Sequence, residues 1–123
     1  MSGLLRSRAE IGRIARRWRF WSRAIAKAAV KVLGPCRVYV FGSVAEGRQT
    51  GGSDVDILIV VKDHSLDGRR RGELVAKIEE LAGLPLYHPF EIHLASEEMV
   101  ERNPIYRDAA ARGVRVNRDT GTS

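Results

Sequence analysis

The stretch that most constrains this chain's fold is Val55-Asp56-Ile57-Leu58-Ile59-Val60-Val61. It is apolar at consecutive positions and rich in β-branched side chains, so it predicts a central strand covered on both faces. Its one charge, Asp56, stands near the head of the run. A carboxylate there is costly unless it is paired or meets a cation. Asp54 lies two positions earlier, and strand side chains alternate, so the two carboxylates point the same way and repel each other. Such a pair has the geometry of a metal site. The competing account is a solvated turn entering the strand, capped by Ser53 or Asp54.

The residues just upstream add a second part. Arg37-Val38-Tyr39-Val40-Phe41 predicts another strand, closed by Gly42-Ser43. A glycine and a hydroxyl at a strand end can present backbone amides and an oxygen to a polyphosphate. Ser43 also fits as a plain turn residue. A short helical stretch is expected near Val44 to Glu46, and residues 47–53 are too glycine-rich and polar for regular structure, which predicts a loop over the site.

The flanking segments are helical. From Leu4 to Leu33 there is no proline, and Ile11, Ile14, Trp18, Trp21, Ile25, Ala28 and Val32 recur at spacings of three and four. That pattern predicts one long amphipathic helix, ended by Gly34-Pro35. Its arginines and lysines fall largely off the apolar stripe. The interleaved tryptophans either stack on bases or, as is more usual, anchor a core or subunit contact.

Downstream, Lys62 to Gly72 reads as a charged connection containing Arg69-Arg70-Arg71, followed by an amphipathic helix from Glu73 to Ala82. Phe90-Glu91-Ile92-His93-Leu94 alternates as a strand, with Glu91 and His93 on the face opposite the apolar one. Ser96 is placed to cap a helix opening with Glu97-Glu98, and a further helix runs from Pro104 through Arg112 to a stop at Gly113. Val114-Arg115-Val116 predicts an edge strand, and residues 117–123 a loose tail. Glu91 can supply a third carboxylate or be an ordinary exposed strand acid, and His93 can reach a bound nucleotide or simply face solvent.

At 123 residues the chain predicts one α/β domain, a small mixed sheet with helices packed on one face and the metal site on the other. The apolar runs are too short to span a membrane, and the N-terminus lacks a signal-peptide pattern, so a cytoplasmic protein is expected. Cys36, the single cysteine, reads as a small buried residue. The net charge of +6 is uneven: residues 1–37 hold ten Lys/Arg against one acid, and the remainder eleven against fourteen. The basic N-terminal segment favours an anionic partner, nucleic acid included, or is a solvated helix face.

Neither G-x-x-x-x-G-K-[ST] nor G-x-G-x-x-G occurs, which removes the P-loop and dinucleotide-binding readings. By contrast Gly42-Ser43, ten residues, then Asp54-x-Asp56, with a later acidic strand, resembles the DNA polymerase beta nucleotidyltransferase superfamily. The small size is similar to its minimal nucleotidyltransferase branch, many of whose members accompany a HEPN-domain protein as antitoxins. The resemblance covers roughly Val38 to Leu94. It implies Gly42 and Ser43 at the triphosphate of ATP or another NTP, and Asp54, Asp56 and Glu91 as catalytic metal ligands for Mg²⁺. Two ions are implied, with Mn²⁺ as a substitute. Glu91 departs from the aspartate common at the third position. The implied activity is transfer of a nucleoside monophosphate to a hydroxyl, such as a tyrosine of a HEPN toxin, with a partner or second subunit completing the cleft in a homo- or hetero-oligomer. The alternative is a non-catalytic antitoxin that masks its partner by contact.

Overall fold

The basic N-terminal segment leads into a four-stranded mixed sheet. The computed structural model describes residues 2–48, 54–62 and 66–117. Helices α1 (Ser2–Arg16) and α2 (Trp18–Leu33) precede β1 (Arg37–Phe41) and β2 (Val55–Val61), followed by α3 (Gly68–Leu81) and β3 (Phe90–Ser96). Helices α4 (Glu97–Arg102) and α5 (Pro104–Arg112) and strand β4 (Val114–Arg115) complete it. The strand order is β3-β2-β1-β4, with β2 and β3 parallel and the other neighbours antiparallel. The parallel pair follows from the α3 crossover, since strands joined by a helix return in the same direction.

The single helix expected from Leu4 to Leu33 is two. Arg17 leaves helical geometry, at φ −104° and ψ 34°, and its N–H is shared between the carbonyls of Arg13 and Ile14. No helix-breaking residue stands there. The break falls among buried residues, with Ile14, Ala15 and Trp18 all in one core. Helix α2 ends as expected, with the Gly34 N–H donating to Val30 O at 2.8 Å.

Helix α3 begins earlier than its apolar periodicity indicates. Asp67 caps it by accepting the Arg70 N–H at 2.7 Å, so the arginine triplet lies on a helix rather than in a connecting loop. The stretch expected to be briefly helical after Ser43 is a run of turns, closed by Arg48 N–H to Ser43 O at 2.8 Å. Strand β4 is one residue shorter than expected. Residues 49–53 of the expected loop, and 118–123 of the expected tail, lie outside the described residues.

Alternation sorts the sheet into two faces. Val38, Val40, Ile57, Ile59 and Leu94 pack toward α2 and α3, where Ile25 and Ile78 are fully buried. The second face needs a correction to the expected layout: it is not left to the site alone. Val100 of α4 and Ala109 of α5 cover Tyr39, Leu58, Val60 and Ala95. The physical reason is in β2 itself, since Leu58 and Val60 are apolar and require cover on that side too. What remains open is the end of the second face nearest Phe41, Asp56 and Glu91.

Candidate active site

Register brings the site together. Asp56 lies opposite Phe41 on β1 and opposite Glu91 on β3, while His93 lies opposite Leu58. Odd positions of β3 and even positions of β2 share the second face, so Asp56, Glu91 and His93 converge. Each offers one ligand atom, and the three atoms lie within 4.8 Å of one another.

The cluster is graded in exposure. The Asp56 and His93 side chains are 26% and 24% accessible and that of Glu91 is 59%. Partial burial pushes the Asp56 carboxyl above its ordinary value, and the nearby Glu91 pushes it further, while His93 opposes the shift and Asp54 adds to it. Two carboxylates brought this close on adjacent strands need a proton or a cation between them.

Each expected residue has a definite place. Asp54 precedes β2 and is exposed; it acts on Asp56 through charge and is not one of the three converging ligands. Gly42 has φ +81°, and a Cβ there would sit 2.5 Å from Asp56 Oδ2. The glycine therefore lets the backbone lie against the carboxylate, in a conformation that side chains disfavour. Ser43 opens the turns that follow. Beside Gly42 a cleft of about 490 Å³ runs between these turns and α5, lined by Phe41, Ala45, Ile105, Asp108 and Arg112 among others.

His93 is the site residue that sequence reasoning left undecided. Its Nδ1 is 3.2 Å from the Tyr106 hydroxyl, and its Nε2 is 3.8 Å from both Asp56 Oδ1 and Glu91 Oε1. Its ring packs against Phe41 and Tyr106, at centroid distances of 5.6 and 5.5 Å. Tyr106 comes from α5, fixed by Asn103, whose Oδ1 accepts the Ile105 and Tyr106 N–H groups at 2.9 and 3.2 Å. The signal for His93 was its alternation with Glu91, but no sequence pattern linked it to Tyr106.

Other candidates separate from the site. Trp18 is buried, and Trp21 packs against the same core, so the tryptophans anchor the helices to the sheet. Cys36 is buried, which pushes its thiol up to about 11 and fits a packing role. Among the described residues no helix is long and apolar enough to cross a membrane.

Residues 23–114 match the nucleotidyltransferase domain family. The chain belongs to that family. The match contains β1, β2, β3 and the whole converging cluster. Two solved structures share the fold of this nucleotidyltransferase-family chain. One, from Sulfolobus solfataricus, is described as a candidate nucleotidyltransferase; it is 21% identical, with a TM-score of 0.58 over 89% of this chain and 85% of its own. The other, also described as a candidate nucleotidyltransferase, is 28% identical, with a TM-score of 0.55 over 76% of this chain and 94% of its own. No curated protein matches the chain.

Proposed function

We propose that this chain transfers a nucleoside monophosphate from an NTP, ATP by resemblance, to a hydroxyl acceptor. The observation that carries the reading is the registered pair Asp56 and Glu91, with the Gly42 backbone against Asp56. The donor set suits a hard divalent cation such as Mg²⁺: close carboxylate oxygens, with Asp56 held above its ordinary value by burial and by Glu91. Asp54, Asp56 and Glu91 would hold the metal, in a two-ion arrangement by resemblance. Bound divalent ions supply charge neutralisation to the triphosphate and to the departing pyrophosphate.

The chain's own residues then have distinct tasks. Gly42 and Ser43 bind phosphate oxygens through backbone and hydroxyl. The acceptor oxygen attacks the α-phosphorus, the bond to the bridging oxygen of the β-phosphate breaks, and Glu91 takes the hydroxyl proton. The cleft between the turns and α5 provides room beside Gly42 for the nucleoside. The acceptor belongs to a partner, by resemblance a HEPN-type protein whose tyrosine is modified, in a cytoplasmic toxin–antitoxin pair.

The test incubates purified protein with Mg²⁺, the partner and ATP labelled at the α-phosphate. Label should pass to the partner, and γ-label should not. Asp54→Asn should abolish transfer while leaving the fold intact. A second reading, an antitoxin that masks its partner by contact, is favoured by the outer face of α2, where Arg19, Phe20, Arg23, Lys27 and Lys31 are exposed. Equal protection of cells by wild type and Asp54→Asn would select it.

A further inference from the structure

We propose that His93 is a nitrogen ligand of the metal site, and that it gives the site a preference for a transition-series divalent ion, Mn²⁺, over Mg²⁺. The inference rests on the nucleotidyl-transfer reading and concerns which ion that site selects.

Four observations point the same way. First, His93 and Glu91 are alternate residues of β3, so both reach the face where Asp56 stands on the neighbouring strand. Second, Nε2 is 3.8 Å from a carboxylate oxygen of each acid, too long for a hydrogen bond to either. Ligands on one ion at bond lengths of about 2.1 Å stand roughly 3 to 4 Å apart, so the three atoms need only small movements to share one. Third, the opposite ring nitrogen is engaged by Tyr106 at 3.2 Å. The Tyr106 hydroxyl oxygen can accept an N–H from Nδ1, the arrangement in which ligating histidines are usually held, and in that tautomer Nε2 keeps its lone pair for the ion. Fourth, the ring is wedged between Phe41 and Tyr106, so its direction is set before any ion arrives.

The consequence is chemical. Carboxylate and water oxygens suit Mg²⁺, whereas imidazole adds a softer donor that later divalent metals exploit better. An all-carboxylate site leaves the choice to ion availability. A site with His93 in place tilts it toward Mn²⁺.

The experiment uses the full chain with MnCl₂ or MgCl₂ alone. Binding is followed by electron paramagnetic resonance for Mn²⁺ and by competition for Mg²⁺, with circular dichroism confirming each variant's fold. Wild type should bind Mn²⁺ at least about tenfold more tightly than Mg²⁺ and show imidazole ¹⁴N coupling on the bound ion. His93→Gln should lose that coupling and most of the preference, with Mg²⁺ affinity little changed. Tyr106→Phe should keep the coupling with a reduced preference, because the ring is less well aimed. Absence of ¹⁴N coupling in wild type overturns the proposal. So does His93→Gln with an unaltered Mn²⁺/Mg²⁺ ratio, or with tighter binding of both ions, which would make His93 a counter-cation. Asp56→Asn should weaken both ions together; if it weakens neither, the metal site and the transfer reading fail along with the selectivity.

Discussion

Ile57 and Asp56 are adjacent in sequence and face opposite sides of the same sheet. Ile57 is fully buried beneath the helical layer, in a core that includes Ile25, Ile59 and Ile78. Asp56 keeps 26% of its side chain accessible, beside a second carboxylate and a histidine. One face stores stability through apolar burial; the other carries groups whose mutual repulsion works against folding. The two are compatible because repulsion is confined to one end of the second face, while Leu58 and Val60 fill the rest beneath α4 and α5. A single strand thus separates folding from chemistry by side-chain parity together with position along the strand.

That separation can be broken at chosen points. Asp56→Asn should lower nucleotidyl transfer by at least about a thousandfold, about 4 kcal/mol of barrier, in a labelled-ATP assay. The same variant should melt, without metal, at or above the wild-type temperature at neutral pH. The sign follows from the raised carboxyl: its folded-state value exceeds the ordinary 3.8, so protonation is favoured by folding. Its stabilising contribution is complete below the unfolded value and is lost as pH rises through the folded-state one. The advantage of the Asn variant should therefore shrink as pH falls toward 3.8.

Ile57→Ala, one residue further along, should do the reverse. It should destabilise the fold by about 2–5 kcal/mol in denaturant titration, while refolded protein keeps its metal affinity. Gly42→Ala should affect both properties. A side chain at φ +81° and 2.5 Å from Asp56 Oδ2 should cost about 1–3 kcal/mol and displace the carboxylate, weakening metal binding in the same titration. The smallest effect belongs to Asn103→Ala, which removes the α5 cap. It should cost about 1 kcal/mol and loosen Tyr106 without touching the acids, measurable as a small drop in unfolding midpoint.

The legible features were those written in local periodicity. Alternation placed Glu91 and His93 on one face, the apolar run located β2, and Pro104 with Gly113 bounded α5. The less legible ones needed a partner distant in the chain or a competing local signal. The charged run through Arg69-Arg70-Arg71 read as a connection, and only the Asp67 cap shows why the helix starts there. Nothing in the residue types at Arg17 marks the break between α1 and α2, which falls among the buried Ile14, Ala15 and Trp18. Asp54 shares parity with Asp56 yet stands just before the strand, where the sheet no longer holds it beside Glu91.

The sequence by itself determined the order of strands and helices from β1 onward, the family to which the chain belongs, and the acidic pair at the head of β2, because these depend on residue type and spacing along the chain. Only the tertiary structure decided that β2 and β3 pair in parallel with Asp56 beside Glu91, and that α5 folds over the second face to place Tyr106 against His93. Strand register and helix packing are set by contacts between residues far apart in sequence, so the histidine's place in the site became visible only once those contacts had formed.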